Sequence, residues 1–512
     1  MKNILYLLAI ILCLGACKKA NTEVTDNAKS NKQKTNIVLI LADDLGYGDL
    51  EVYNQNSKIP TPNLNTLAES GIRFTDAHSP SSVCTPTRYG ILTGQYAWRT
   101  SLKKGVLWPW DPPLIDPDRK TIPRVLKEKG YNTACIGKWH LGWKWRGIDG
   151  NIVNDTIVGG DYGMPNRNTL WDKIDYTKPV EGGPIAVGFD TYFGDDVPNF
   201  PPYTFISDDK LEAVPNIIKP DTLFGNPGPM VEGWDLRNVM ATITKKAVSY
   251  IENQEKEESP FFLYFPLTAP HTPIAPADEF IGKSEAGPYG DYVNQVDYTV
   301  GQVVEALKRT GQLENTLIVF TSDNGSPQRD GSNMGGKIRT IFEKYDHNPS
   351  EPFTGVKADI WEGGHRVPFI VSWPSKIKSK QESNQLISSI DILATIEGII
   401  DTDEDKVHDF DDSKDFSKVW LGTSAEKVRD YLVLHSISGM FAIRNGDWKY
   451  IQGQGSGGWT KRDIDDKNLP GQLYNLKNDF VEEHNLYTEN KEIVDVLDEK
   501  LEQYKKQGNS IE

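Results

Sequence analysis

The stretch Asn36-Ile37-Val38-Leu39-Ile40-Leu41-Ala42 is a nearly continuous apolar run, and Asp43 and Asp44 follow it directly. A strand with one face in water alternates apolar and polar residues, and this run does not. It is typical of a strand buried on both faces, as at the centre of a parallel sheet. Two carboxylates at the carboxyl end of such a strand predict a functional site at that edge of the sheet.

Similar apolar runs recur along the chain, and amphipathic stretches separate them. This alternation predicts an α/β sandwich with a mainly parallel central sheet, whose ligands gather at the carboxyl ends of the strands. The further predicted strands lie at residues 131–137, 261–267, 316–321 and 367–373, and two of the predicted helices lie at 121–129 and 291–309.

The character of the chain changes at about Ser424. Short segments at 431–434, 440–444 and 448–451 predict strands with turns between them, and residues 491–506 predict a helix. Because 512 residues exceed what one hydrophobic core usually supports, we predict a large domain over residues 35–423 and a smaller antiparallel α+β subdomain over 424–512. The pattern is weak between residues 150 and 260, as in substrate-facing loops or in plain scaffold.

The amino terminus reads as an export signal, since an apolar run too short to span a bilayer is followed by Leu14-Gly15-Ala16-Cys17. This ending resembles a bacterial lipobox. The resemblance implies a signal peptide over residues 1–16, acylation of Cys17, for example with palmitate, and a flexible tether over residues 17–34. We expect a bacterial lipoprotein held at a membrane, in the periplasm or at the outer membrane or cell surface. The alternative is an ordinary secretory signal with a chance cysteine.

Charge and cysteine content narrow the classes of partner. The net charge of -16 argues against a nucleic-acid partner, which needs a basic face. An anionic substrate therefore requires a locally basic pocket. Of the four cysteines, Cys13 leaves with the signal and Cys17 carries the lipid, which leaves Cys84 and Cys135. So few thiols argue against a disulfide framework and raise the question of what each one does.

The segment from Cys84 to Gly94 reads Cys-Thr-Pro-Thr-Arg-Tyr-Gly-Ile-Leu-Thr-Gly. It resembles the C-x-P-S/T-R signature of the type I sulfatases of the alkaline phosphatase superfamily, and Thr87 stands where serine is more common. In that family a maturation enzyme oxidises the cysteine to formylglycine (3-oxoalanine), and the hydrate of this aldehyde is the nucleophile. The resemblance implies the same for Cys84 and makes residues 35–423 a catalytic domain. The alternative is a small buried cysteine at a helix start.

Asp43-Asp44 and Asp323-Asn324 each follow a predicted strand and offer hard oxygen ligands for Ca²⁺ or Mg²⁺, although such pairs also serve as turns or helix caps. Both segments resemble the metal segments of the sulfatase family. The resemblance implies one calcium ion, bound by Asp43, Asp44, Asp323 and Asn324 and completed by residue 84 and the substrate.

Further motifs of the sulfatase family supply basic and titratable groups. Gly137–Gly142 reads G-K-W-H-L-G, Pro270–Pro273 reads P-H-T-P, and Gly355-Val356-Lys357 precedes Glu362 by five residues. The resemblance implies a basic pocket around the sulfuryl group, attack assisted by Asp323, and protonation of the departing alcohol by His271 or Lys357. It also implies that His140 takes the proton whose loss expels sulfate. The pocket cations are Arg88, Lys138 and Lys357.

The substrate class rests on weaker signals. A surface-anchored sulfatase suggests a sulfated carbohydrate, either an algal polysaccharide such as ulvan or carrageenan or a glycosaminoglycan. Residues 143–146 (Trp-Lys-Trp-Arg) are a sugar subsite or core packing, and Trp108, Trp110 and His365 are weaker candidates. Residues 325–354 form an insertion-like segment, either a substrate loop or a surface excursion. The alternatives are a phosphate mono- or diester or phosphonate hydrolase of the same superfamily and a non-catalytic glycan-binding lipoprotein.

Overall fold

The computed structural model describes residues 35–155, 170–401, 408–462 and 468–511. The predicted signal peptide, Cys17 and the tether lie outside the described residues. The strands are β1 (Asn36–Asp43), β2 (Gly71–Phe74), β3 (Ala77–His78), β4 (Asn132–Ile136), β5 (Thr191–Gly194), β6 (Ile206–Ser207), β7 (Lys210–Leu211), β8 (Ile217–Ile218), β9 (Pro229–Met230), β10 (Phe261–Pro270), β11 (Thr316–Ser322), β12 (Phe369–Ser372), β13 (Gln381–Ser383), β14 (Ile387–Ser388), β15 (Tyr431–His435), β16 (Phe441–Asn445), β17 (Trp448–Ile451) and β18 (Gln472–Asn475). The helices are α1 (Pro62–Glu69), α2 (Cys84–Thr93), α3 (Ile122–Glu128), α4 (Asn238–Gln254), α5 (Gly287–Arg309), α6 (Ile341–Tyr345), α7 (Glu362–His365), α8 (Ile392–Ile400), α9 (Ser417–Trp420) and α10 (Lys491–Lys506).

The central sheet has the strand order β13-β2-β12-β11-β1-β10-β4-β5-β6-β7. Strand β1 lies between β11 and β10 and runs parallel to both, with Leu39 opposite Val319 and Tyr264. Strands β4 and β5 continue the parallel part, whereas β12 is antiparallel to β11. The predicted mainly parallel sheet is confirmed, and the carboxyl ends of its central strands meet at one edge.

Both faces of this sheet are covered. On one face, Val38 and Ile40 of β1 pack in a core that contains buried residues of α4 and α5. On the other face, Ile37, Leu39 and Leu41 pack in a core that contains residues of α3 and α8. Alternate side chains of β1 therefore enter two different cores, which explains why its sequence is apolar throughout rather than alternating.

The C-terminal strands form a separate antiparallel sheet in the order β15-β16-β17-β18. The three strands predicted there and the closing helix α10 are confirmed, and β18 is an addition. This sheet and α10 share a hydrophobic core with Tyr96 and Trp98 of the large domain. The boundary between residues 423 and 424 stays a prediction, because residues 34–512 form one compact unit.

Helix α4 lies in the segment from 150 to 260 whose pattern appeared weak. Its buried residues include Val239, Ile243, Ala247 and Ile251, which are four residues apart and share one face. This spacing is the signal by which the helix is detectable in the sequence. Across the described residues, no helix combines the length and the apolar character that crossing a membrane requires.

Candidate active site

The chemistry-bearing residues gather where four neighbouring parallel strands end. Asp43 closes β1, and Asp323 follows β11 directly. Lys138 comes two residues after β4, and His271 follows β10. Since these strands are adjacent in the order β11-β1-β10-β4, residues far apart in sequence meet at one edge, as predicted. Asp44 adopts a left-handed backbone with φ 68°, and its N–H donates to Asp323 Oδ1 at 3.1 Å.

Cys84 is the first residue of α2, and all ten residues of this helix are buried. Its Sγ lies 3.3 Å from Lys357 Nζ and 4.0 Å from Asp44 Oδ1. Arg88 lies one helical turn further on the same face of α2. Burial raises the pKa of the Cys84 thiol to about 12, although the charges of Lys138 and Lys357 oppose the shift. At neutral pH the unmodified thiol is therefore uncharged and a poor nucleophile.

The pocket cations pair with the predicted metal-binding carboxylates. Arg88 donates to Asp323 Oδ2 through Nε and Nη2 at 3.0 and 2.8 Å. Lys138 Nζ donates to both oxygens of Asp43 at 3.0 and 2.8 Å, and Lys357 pairs with Asp44. Burial alone would raise the pKa of Asp43, but the neighbouring positive charges hold it well below its usual value. The three predicted pocket cations therefore lie together, each paired with one of the three carboxylates.

The two histidines present different nitrogens to the site. His271 Nε2 lies 3.8 Å from Asp44 Oδ2, and burial lowers the pKa of His271 to about 4. His140 Nε2 lies 2.9 Å from Leu107 O, and burial lowers the pKa of His140 well below its usual value. Because a carbonyl only accepts, Nε2 of neutral His140 carries the hydrogen. Its Nδ1 is buried and has no hydrogen-bond partner among the described residues, so it is the available proton acceptor.

Four oxygen-bearing side chains can hold a hard cation here. Asp43 and Asp44 belong to a group, with Cys84 and His271, whose ligand atoms lie within 4.8 Å of one another. Asn324 Nδ2 donates to Asp44 Oδ1 at 2.7 Å, while its Oδ1 is buried without a partner in the described part of the chain. An orphaned amide oxygen beside three carboxylates fits calcium, which prefers several oxygen ligands. The residues implied by the resemblance therefore suit the ion.

A second cluster of titratable groups lies away from this site. His78, Glu362 and His365 present ligand atoms within 4.8 Å of one another. Their polar atoms are engaged with side chains of the C-terminal sheet, among them Lys449, whose Nζ lies 3.0 Å from Glu362 Oε1. His365 is thus a structural residue rather than a sugar ligand. The charged members balance one another: Asp76, Glu362 and Glu482 against Arg366, Arg444 and Lys449.

The tryptophan-rich residues 143–146 are explained by packing. Trp143 and Trp145 are 2% and 3% exposed and belong to the large core, so their indoles offer no face to a sugar. Trp110 is buried there as well, whereas Trp108 is only partly buried and stacks on Phe200 at 5.6 Å. Phe200 also contacts the ring of His140.

Asp196 is a site residue that the sequence patterns missed. Its Oδ1 accepts hydrogen bonds from the His140 N–H at 3.1 Å and from Trp143 Nε1 at 3.0 Å. Asp196 thereby fixes the backbone that carries His140. The detectable signal is the short run Thr191–Gly194, which forms β5 and is followed by two carboxylates, as β1 is.

Comparison with known proteins agrees with this geometry. The Sulfatase family model matches residues 35–402, and the model for the C-terminal region of N-sulphoglucosamine sulphohydrolase matches residues 357–507. An N-acetylgalactosamine-6-O-sulfatase of Bacteroides thetaiotaomicron is 34% identical in an alignment 536 positions long, which covers 99% of this chain and 100% of that protein. Human arylsulfatase A is 31% identical and is matched over 81% of this chain and 74% of its own length.

Solved structures show the same fold. One from a study of glycosaminoglycan metabolism by Bacteroides thetaiotaomicron has a TM-score of 0.75 and 29% identity, and covers 93% of this chain and 100% of its own. A second, Ps i-CgsB in complex with k-i-k-neocarrahexaose, has a TM-score of 0.65 and 25% identity, and covers 92% and 93%. The family match spans more than half of the chain, and the alignment with the bacterial relative is end to end. The chain belongs to the sulfatase family, and it is a sulfatase.

Proposed function

We propose that this sulfatase removes the 6-O-sulfate of N-acetylgalactosamine residues in a glycosaminoglycan, using formylglycine formed from Cys84 and one calcium ion. The observation that carries the chemistry is the position of Cys84, at the start of a buried helix and within reach of Lys357. The substrate is suggested by the bacterial relative that aligns over its whole length. Membership of the sulfatase family favours sulfate esters over the phosphoryl and non-catalytic alternatives.

Position 84 needs modification because its thiol is a weak nucleophile in this environment. Burial keeps the pKa of the Cys84 thiol near 12, so almost no thiolate forms at neutral pH. Oxidation of the side chain to an aldehyde, and hydration of that aldehyde, supplies a hydroxyl at the position that Sγ occupies. A maturation enzyme that oxidises the cysteine is therefore a required partner.

Calcium would be held by Asp43, Asp44, Asp323 and Asn324, where it would neutralise sulfate oxygens and lower the pKa of the attacking hydroxyl. The chain's own cations supply further stabilisation of charge that develops on those oxygens. Lys357 Nζ is 3.3 Å from Cys84 Sγ, and neighbouring carboxylates raise its pKa against the effect of burial. At neutral pH Lys357 therefore carries a proton, whereas His271, with a pKa of about 4, does not. We assign protonation of the departing alcohol to Lys357. We assign orientation of the same alcohol to His271.

His140 is the base that allows sulfate to leave. Nδ1 of His140 has no partner in the described residues. The backbone carbonyl of His140 accepts a hydrogen bond from the hydroxyl of Thr85, the neighbour of Cys84, at 3.2 Å. We infer that this neutral imidazole, with its unpartnered nitrogen, takes the proton of the second hydroxyl.

A His140→Ala variant tests this assignment. We expect steady-state turnover to fall by about 10²- to 10⁴-fold, the usual contribution of a general base, because sulfate release slows. The first equivalent of alcohol should still appear rapidly in stopped-flow measurements with an aryl sulfate. The exposed His484 provides a control, and His484→Ala should leave turnover unchanged. A His140→Ala enzyme that loses the rapid first equivalent as well would contradict the assignment.

Substrate choice is tested by sulfate release from defined saccharides. N-acetylgalactosamine 6-sulfate should be cleaved, and its 4-sulfate isomer should be cleaved far more slowly. Carrageenan oligosaccharides and ulvan fragments are the competing substrates. If either is cleaved with a higher kcat/KM than the 6-sulfated amino sugar, the glycosaminoglycan assignment is wrong while the sulfatase assignment stands.

We also propose that the protein is a lipoprotein anchored through Cys17. The support is the Leu14-Gly15-Ala16-Cys17 sequence. Cells fed labelled palmitate should label the wild-type chain and leave a Cys17→Ala variant unlabelled and absent from the membrane fraction. Equal labelling of both would contradict the lipobox and favour an ordinary secretory signal.

A further inference from the structure

Residues 325–354 run between two parts of the active site, the one that contains Lys357 and the one that contains His271. Near its start, the carbonyl of Ser326 accepts a hydrogen bond from the Lys357 N–H at 2.9 Å. Further along, the carbonyl of Met334 accepts one from the N–H of Ile274, three residues after His271, at 2.7 Å. The segment between these two bonds is therefore fixed beside the two residues assigned to the departing alcohol.

The site opens to solvent on this same side. The side chains of Asp43, Arg88, Lys138 and Asp323 are 0% exposed. Those of Lys357 and His271 are 7% and 11% exposed. The rest of a saccharide whose sulfate is bound in the site must therefore extend towards solvent past Lys357 and His271, the partly exposed side chains.

Arg329 occupies the segment at this opening. Its Nη1 donates to the carbonyl of Gly336, and its charge interacts with that of Asp44. Asp330, the adjacent carboxylate, is engaged by Lys344 instead. Arg329 forms no ion pair with any carboxylate in the described ranges, and it is only partly buried. A guanidinium has five N–H donors, so most of them remain for a ligand.

A cavity lies against the same segment and is lined by Asp330, which follows Arg329 in sequence, and by Gly336. It has a volume of about 540 Å³ and is lined in part by Phe224, Gly336 and Lys337. Gly336 is the residue whose carbonyl Arg329 contacts. This volume is in the range of small-molecule pockets, so it accommodates a sugar ring.

We propose that Arg329 binds a second anionic group of the substrate, a carboxylate or a sulfate on the saccharide residue linked to the sugar that loses its sulfate. A guanidinium pairs with planar carboxylates and with sulfate through two parallel hydrogen bonds, and a half-buried position strengthens such bonds. Arg329 is thus a specificity-determining residue that selects acidic glycans. This inference rests on the proposed action on glycosaminoglycan sulfates.

The test compares Arg329→Gln with Arg339→Gln, an exposed arginine of the same segment. Four substrates are used: N-acetylgalactosamine 6-sulfate, the disaccharide in which it is linked to a uronate, the same disaccharide with the carboxyl reduced to an alcohol, and a form with an additional sulfate on the uronate. For Arg329→Gln we expect kcat/KM on the uronate disaccharide to fall about tenfold through KM, as for a lost charge-assisted hydrogen bond. The monosaccharide and the carboxyl-reduced disaccharide should change less than about twofold, and Arg339→Gln should alter none of the four.

The outcomes separate the inference from the proposed function. A loss that appears only with the additionally sulfated disaccharide supports the proposal and identifies the bound group as sulfate. An equal loss on all four substrates, or none on any, would overturn the role of Arg329 and leave the proposed function intact. A wild-type enzyme that cleaves none of the four would overturn the proposed function and this inference together.

Discussion

A Cys84→Ala variant, produced together with a formylglycine-generating enzyme, is expected to fold normally and to lose at least about 10³-fold in turnover, since removal of a nucleophile leaves only binding and electrostatic effects. Alanine only shortens the side chain at the first residue of a helix that stays otherwise packed, so the circular dichroism spectrum should not change. Turnover with an aryl sulfate and the melting temperature are the two measurements.

The matched control is Cys135→Ala. Cys135 is also a buried free thiol, but it lies in strand β4. Its loss should lower the free energy of unfolding by about 1 kcal/mol through the cavity it leaves and should not change turnover. In the wild-type chain, the peptide that contains residue 84 should be lighter by about eighteen mass units than the unmodified peptide, owing to exchange of sulfur for oxygen and the loss of two hydrogens. Near-normal turnover of Cys84→Ala would exclude the formylglycine mechanism.

An Asp323→Asn variant is expected to lose both activity and the response to calcium. The substitution keeps the shape of the side chain but removes one charge from the ion site and from the partner of Arg88, which donates to Asp323 through two nitrogens. We expect turnover to fall by about 10²-fold or more, because charge stabilisation at the sulfuryl group weakens. Added calcium should raise the melting temperature of the wild-type protein, as a ligand of the folded state does, and should not raise that of the variant.

Asp412→Asn separates calcium binding from general damage. Asp412 is also buried and accepts two hydrogen bonds from Arg99, each of 2.8 Å, but it lies outside the site. Breaking either buried pair should destabilise the fold by about 3 kcal/mol. Only Asp323→Asn should abolish the calcium-dependent shift. If calcium still stabilises Asp323→Asn, the assignment of this carboxylate as a ligand is wrong.

Much of the fold was predictable because strands buried on both faces leave an unusual pattern. Runs such as residues 36–42 and 316–321 are typical of central parallel strands. Asp43 and Asp323 follow the carboxyl ends of these runs and were therefore predicted to be site residues. Helix α4 and strand β18 were missed. The first lies among weakly patterned residues, and the second has only four residues, too few to show a period.

The composition of the site was predictable from motifs, whereas its internal contacts were not. Sequence patterns named Lys357 and Asp44 separately, but their pairing depends on how residues 325–354 return to the sheet. The part played by Arg329 depends on the same return path, because no local pattern distinguishes it from Arg339. For Trp143 and Trp145 the sequence left two interpretations open, and burial decides for packing because neither indole reaches the surface.

The complete burial of α2 limits when residue 84 can be oxidised. The proposed oxidising enzyme has to reach Cys84, and in the finished fold Cys84 and the rest of α2 are buried. On the proposed route, oxidation has to precede closure of the sheet over this helix. Folding and oxidation of residue 84 then compete, and a chain that folds first keeps an unmodified Cys84. The fraction of active molecules in a preparation would report the order of two events in the cell rather than the quality of the protein.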